Sequence, residues 1–482
     1  MMPPYLFLET ARVAKSLRVF SSRVFCAVLL LMVGAMLPFA ASRAQEPLSE
    51  KVAQETAPES PAWLEDAVVY EIFPRHFSAD GTLNAVTAKL DSLQQLGVNV
   101  LWIMPIHPIG AEHRLGPLGS PYSVRDYYAI DPDLGTKADF LQLVQAAHQR
   151  HMRVILDMVA NHTAWDSVMM AHPEFYQHDA AGHVLSPHGW SDVAALNYAN
   201  PALRKYMIDM FVYWLKNFDL DGFRCDAASF VPTDFWEQLR PELKSIRPDV
   251  LLLAEASKPE LMKGAFDLDY GWPLMSTFNK VIEHGQPASS IETQINEQIA
   301  TFPIGTRHML ISDDHDEQRA TVRYGAPAAL AASALVFTLP GVPMLYNGME
   351  AGDATESGGQ ALFEKFRIYW GAAQQFPRFP EFYHTLIPLR ASSPALRHGD
   401  LLWLHNSDEQ HVVSFERRSP EETDLVVVNL SSTPFRGTLE APSGDWSEVT
   451  FGKAKPVLPA LPALSLEAFQ VRIFRRLTPN VR

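Results

Sequence analysis

Cysteine is nearly absent from this 482-residue chain, which has only Cys26 and Cys225. Cys26 sits in an apolar N-terminal run, so the remainder carries one thiol and no internal disulfide, and its stability must come from a large core. No glycine-rich dinucleotide turn follows any candidate strand, which removes the usual signature of an open doubly wound sheet. Neither a helical His-Glu-x-x-His nor a His-x-His strand pair is present, so a transition-metal hydrolase has no recognisable ligand set. Basic residues are in deficit, 40 Lys and Arg against 55 Asp and Glu, for a formal charge of −15. An acidic surface repels nucleic acid and anionic lipid and favours a neutral or cationic partner.

Long hydrophobic runs are also scarce. The single one, VFCAVLLLMVGAMLPFAAS, follows Arg12, Lys15, Arg18 and Arg23 and ends at Ser42-Arg43-Ala44. That is the pattern of a secretory signal with a small-x-small cleavage site, so residues 1–44 are expected to be a signal peptide and the protein to be periplasmic or extracellular, with no membrane contact after cleavage; an uncleaved membrane anchor is the alternative, since the run is close to spanning length. Those residues carry five basic side chains and one acid, Glu9, so their loss moves the formal charge from −15 to −19. Residues 45–63, polar and rich in Pro and Glu, are expected as a solvated linker.

From Trp63 onward short β-branched runs alternate with amphipathic helical stretches: AVVYEIF, VNVLWIMP, MRVILDMV, DGFRCDA, VLLLAEA, RHMLISDD and VPMLYNG read as strands, with an eighth near AFDLDY. This rhythm predicts a closed (β/α)8 barrel over residues 64–391. Residues 163–199 interrupt it after the third strand and are expected as a short inserted domain on the catalytic face, where long loops follow barrel strands. After residue 392 short alternating runs predict a C-terminal antiparallel β-sandwich to residue 482.

In a barrel strand side chains alternate between lumen and helix layer. Within GFRCD, Gly222, Arg224 and Asp226 therefore share one face and Phe223 and Cys225 the other, and the cost of burying charge against apolar helices sends Arg224 and Asp226 into the lumen. Asp157, Glu255, Asp313, Asp314 and Asp316 fall at the ends of neighbouring strands. Acids gathered on one rim repel one another and raise each other's pKa, an arrangement suited to glycoside hydrolysis, where one carboxylate attacks or stabilises the anomeric carbon and another stays protonated.

These segments resemble glycoside hydrolase family 13, the α-amylase family. Four motifs carry the likeness, in order and on predicted strand ends: DMVANH (157–162), GFRCDAASF (222–230), LLLAEAS (251–257) and SDDHDEQ (312–318). The resemblance implies a retaining enzyme acting on α-1,4-linked glucans or maltooligosaccharides through a covalent glycosyl-enzyme. It casts Asp226 as nucleophile, Glu255 as general acid/base and Asp316 as the third acid, with Arg224 holding Asp226 ionised. It also implies that His162 and His315 hydrogen-bond the sugar and that Tyr122 stacks on it. A family-13 transglycosylase or isomerase acting on maltose, sucrose or trehalose shares all these residues, and a scaffold protein that has lost catalysis would have to lack one of the three acids.

Two departures stand out. Asp314 replaces the usual asparagine before His-Asp, adding a negative charge beside Asp316, and Ser229-Phe230 replaces the Lys-His pair that many relatives place on the leaving-group side. The inserted loop offers few oxygen ligands beyond Asn161, so no cofactor is required and a calcium site is not expected.

Overall fold

The structure, a computed structural model, describes residues 52–450 and 461–478. The expected signal segment, residues 1–44, lies outside them. Among the described residues no helix is long and apolar enough to cross a membrane.

Eight strands are buried along almost their whole length: β1 (Val69–Ile72), β2 (Val100–Ile103), β3 (Arg153–Val159), β4 (Gly222–Asp226), β5 (Leu251–Ala254), β6 (Leu268–Tyr270), β7 (His308–Leu310) and β8 (Val342–Tyr346). Each pairs in parallel with its neighbours in sequence, and β8 pairs with β1, so the sheet closes. Covered by helices outside and packed side chains inside, such strands are mostly apolar on both faces, which is why they read as near-continuous Val, Leu and Ile runs broken by a few charged lumen residues. The eighth strand expected near AFDLDY is β6.

Local signals fix the helix starts between strands. Thr136 and Asp139 form a reciprocal capping box at the head of Lys137–His148. Asn200 accepts from the Ala202 amide with Pro201 in the first turn of Pro201–Phe218. Both satisfy amides that a helix start leaves orphaned.

The register of β4 decides the site. Gly222 lies between Ile155 of β3 and Leu251 of β5. A Cβ there would fall 2.4 Å from the Leu251 carbonyl oxygen, so no other residue lets the strands approach this closely. Phe223 meets Phe211 of the outer helix Pro201–Phe218 edge-on at 5.0 Å, and Cys225 is fully buried with its thiol pushed up by burial. Arg224 and Asp226 accordingly enter the lumen.

The insertion after β3 opens and closes with a two-stranded antiparallel ribbon, His162–Ala164 against Val193–Ala195. Three short 3-10 turns lie between them.

Beyond residue 399 a five-stranded antiparallel sheet runs in the order Asp400–Trp403, Val412–Arg418, Glu422–Asn429, Val471–Leu477, Ser447–Glu448. A two-stranded sheet, Phe435–Thr438 with Ala463–Leu466, faces it. Alternation sorts its side chains: Phe415, Val426, Val428 and Ile473 join the barrel's core. Leu425, Val427 and Phe474 instead join Phe435, Trp446, Leu464 and Leu466 in a second core.

The linker expectation needs correction over its described part. Val52 is buried, the Ile304 amide donates to the Glu55 carbonyl at 2.8 Å, the Ala57 amide donates back to Ile304 at 2.9 Å, and Ser60 donates to the Asp267 carbonyl at 3.1 Å. Backbone pairing, which composition does not report, ties the segment to the barrel.

Candidate active site

The lumen at the C-terminal ends of β3, β4 and β5 is organised around one guanidinium. Arg224, fully buried, donates through Nη1 to Asp157 Oδ1 and Asp226 Oδ1, both at 2.9 Å, and through Nε to the Tyr270 hydroxyl at 3.2 Å. Nη2 lies 2.9 Å from Glu255 Oε1, an ion pair too bent to count as a hydrogen bond. The rings of Trp102, Tyr122 and Tyr270 stand 5.1, 5.5 and 5.7 Å from its central carbon. Burial works against the charge of Arg224, but Asp157 and Glu255 outweigh it and raise its pKa further.

One cation among three carboxylates, two buried and Glu255 nearly so, cannot neutralise them all. Burial pushes Asp157 and Asp226 each up to about 6, with Arg224 pulling the other way. Glu255 goes up to about 8, through burial and then the charges of Asp226 and Asp316. Two acids sharing a guanidinium are thus separated in proton affinity.

The backbone contributes as well. Ala227, directly after Asp226, adopts a left-handed conformation with φ of +46°, a cost of roughly 1–2 kcal/mol for a non-glycine residue. That turn aims its amide at Glu255 Oε2, 2.6 Å away. An outlier of this kind at a strand end orients a neighbouring side chain at the expense of local strain.

A second chain of bonds begins at β1. His315 Nδ1 lies 2.5 Å from Glu71 Oε1, while its Nε2 lies 2.7 Å from the Tyr122 hydroxyl and 3.2 Å from Asp316 Oδ2. Burial alone would strip its proton, but Asp316 and Glu71 outweigh burial and push it up to about 10, so His315 is an imidazolium at neutral pH. The Tyr122 hydroxyl then donates to Asp157 Oδ2 at 3.1 Å, and Trp102 Nε1 donates to the same oxygen at 3.1 Å. His162 is the opposite case: burial drives it down to about 3, and it is neutral, with Asn161 Nδ2 donating to its Nδ1 at 3.2 Å.

The structure thus gathers Asp226, Glu255, Arg224, Tyr122 and His315 into one connected network. Asp316 stands at its rim, its side chain 42% exposed, and reaches the network through His315. His162 opens the ribbon strand that follows β3, and its ring meets that of Trp190 at 5.5 Å. From there rings run outward: Trp190 to Phe230 at 6.0 Å, and His188 to Phe230 at 3.7 Å. Trp190 and Phe230 are 40% and 51% exposed, unusual for large apolar side chains and consistent with an oligomeric ligand entering over them.

The family pattern described as "Alpha amylase, catalytic domain" matches residues 71–181 and 175–374, spanning seven of the eight strands whole and all but the first residues of β1. The chain belongs to the α-amylase family. Alpha-amylase MalA of Haloarcula japonica is 30% identical over 416 residues, 82% of this chain and 60% of that protein. The cyclomaltodextrinase of Geobacillus thermopakistaniensis is 26% identical, covering 78% of this chain and 70% of its own length. The chain therefore spans about three fifths to seven tenths of these curated relatives. Among solved structures, the maltogenic α-amylase AmyB of Thermotoga neapolitana superposes with a TM-score of 0.77 at 29% identity, covering 86% of this chain and 99% of that one.

Within the α-amylase frame the departing residue Asp314 is buried. Its Oδ1 accepts from the amides of Asp316 and Glu317 at 3.1 and 3.0 Å, and burial followed by the charge of Asp316 raises its pKa well above the usual range. Asp314 matches asparagine in shape, and burial works against the added negative charge that the sequence suggested. Glu71, Trp102 and Tyr270 are network members that the motifs do not contain. The one available signal for Glu71 was a lone carboxylate inside the apolar run AVVYEIF. Among the described residues no cluster of three or more His, Cys, Asp or Glu is arranged to hold a metal ion.

Proposed function

We propose that this protein is a retaining glycoside hydrolase acting on α-1,4-linked glucans or maltooligosaccharides. The observation that carries the reading is the Arg224 cluster, which holds two carboxylates of unequal proton affinity on adjacent strands. Asp226, ionised at neutral pH beside Arg224, attacks the anomeric carbon. Glu255, protonated, delivers its proton to the leaving oxygen and then takes one from the incoming water as the glycosyl-enzyme is hydrolysed. Neutral His162, cationic His315, Tyr122 and Asp316 surround the sugar and hold its hydroxyls. The exposed rings of Trp190 and Phe230 support an oligosaccharide substrate over a single sugar.

The mechanism sets a pH profile. Below about 6 Asp226 takes up a proton and the nucleophile is lost, and above about 8 Glu255 releases its proton and the acid is lost. A bell-shaped kcat/KM with limbs near those values and a maximum near neutrality is expected. A product time course from maltooligosaccharides of defined length tests the reaction class. Glucose and maltose should accumulate from the start; longer or rearranged oligosaccharides would instead mark the transglycosylase or isomerase alternative, and no products at all would overturn the reading.

Export to the periplasm or medium belongs to the same proposal, supported by the Arg/Lys-flanked apolar run and Ser42-Arg43-Ala44. Cell fractionation with N-terminal sequencing should give mature protein starting near Gln45. Uncleaved protein confined to the cytoplasm would reject it.

A further inference from the structure

The floor of the barrel, opposite the acids, holds a cavity of about 420 Å³ where the N-terminal ends of β7 and β8 meet the C-terminal domain. In a chain of formal charge −15, among the described residues no carboxylate lines it, whereas Arg307, Arg397 and Arg417 do. Arg307 and Arg397 each have an acid on their outer side, Glu65 and Asp66, and His308 on the same wall pairs with Asp269.

Arg417 is different. It is 1% exposed, and among the described residues its three nitrogens donate only to the Gly399 and Thr338 carbonyls. Arg390, equally buried behind the wall, likewise donates only to the carbonyls of Phe337, Leu396 and Gly341. Burial pushes these guanidiniums down to about 10 and about 9, Arg390 being lowered further by Arg417 and Arg397. Asp424 and Asp400 favour the charge of Arg417 from a distance, but neither bonds it. Buried cations without a carboxylate are rare because their desolvation is not repaid.

Two donors and one acceptor on this wall also lack partners among the described residues. Gln298 is 4% exposed, yet neither its amide nitrogen nor its oxygen has a hydrogen bond, and the Nε of Arg397 is buried and equally unmet. Buried polar groups are almost always satisfied, so the two orphaned donors lining the cavity indicate a missing acceptor, and Gln298 Oε1 a missing donor such as water. Ile295, Phe302 and Leu310 supply an apolar surface between them.

We propose that this cavity is a second ligand site that takes a small organic anion, its charged group beside Arg397 and Arg417 and accepting from Gln298, and its apolar part against Ile295, Phe302 and Leu310. The volume falls in the range of small-molecule pockets, and guanidinium forks suit carboxylate and phosphate alike. Because the site joins the barrel floor to the C-terminal sheet, occupancy stabilises the fold by mass action.

Thermal melts of the full chain with benzoate or inorganic phosphate, each against sodium chloride at equal ionic strength, test this. A saturable rise in Tm with at least one anion is expected, and the anion that gives it identifies the charged group. Gln298→Leu and Arg397→Met should each weaken half-saturation about tenfold or more, while turnover of maltooligosaccharides stays at the parent level. Gln298→Leu removes an unsatisfied amide, so its unliganded melt should equal or exceed the parent's, which separates lost binding from lost folding. No saturable rise with either anion, or one undiminished in both variants, would overturn the site.

Discussion

Asp226→Asn yields a folded protein whose hydrolysis of maltooligosaccharides falls on the order of 10⁴-fold, the scale seen when a nucleophilic machine loses one member. Asparagine keeps the shape and can still accept from Arg224 Nη1, so positioning survives while the attacking charge is gone. Stability moves little or upward, because Arg224 keeps Asp157 and Glu255 as partners and one of three mutually repelling carboxylates is removed. Turnover by reducing-sugar release, read beside a thermal melt, checks both halves. Retention of more than about a tenth of parental turnover, a loss far below what a nucleophile should cost, would show that Asp226 does not attack the sugar.

Glu255→Gln separates proton donation from attack. Glutamine still accepts from the Ala227 amide that holds Glu255 at 2.6 Å, but it has no proton to give. With natural maltooligosaccharides turnover falls by about 10²–10⁴-fold, the usual share of general acid catalysis. With a 4-nitrophenyl maltooligosaccharide the leaving phenolate needs little protonation, so the first step, read as burst release, survives far better. The alkaline limb near 8, assigned to Glu255, also vanishes. An equal loss on both substrates would remove Glu255 from the acid role and leave it a positioning residue.

How far the site could be read in advance depends on where its parts lie along the chain. Arg224, Asp226 and Cys225 were separable because strand alternation is local, and Asp157 and Glu255 showed themselves as acids closing apolar runs. Glu71 did not, since its partner His315 is 244 positions away and only barrel closure brings them together. Tyr270 ends the three-residue strand β6, too short for a periodicity to point its side chain. The strand Ala463–Leu466 follows a Pro-rich stretch and escaped detection, although its pairing with Phe435–Thr438 closes the second core. The raised pKa of Asp314 was hidden because burial and the charge of Asp316, not its residue type, cause it.

The clash that any side chain at position 222 would meet with the Leu251 carbonyl bears on how this barrel can change over evolutionary time. A single inserted or deleted residue ahead of β4 would swap inside for outside, sending Arg224 to the helices and Phe223 and Cys225 to the lumen. The same slip would force Asp221 or Phe223 into a space that admits only glycine. Length changes are therefore blocked in this strand from two directions at once, whereas the segment between the ribbon strands His162–Ala164 and Val193–Ala195 can gain or lose residues without moving Asp226. Changes of length are therefore easier in that segment than in the charge-bearing strand, whose length the Gly222 contact holds fixed.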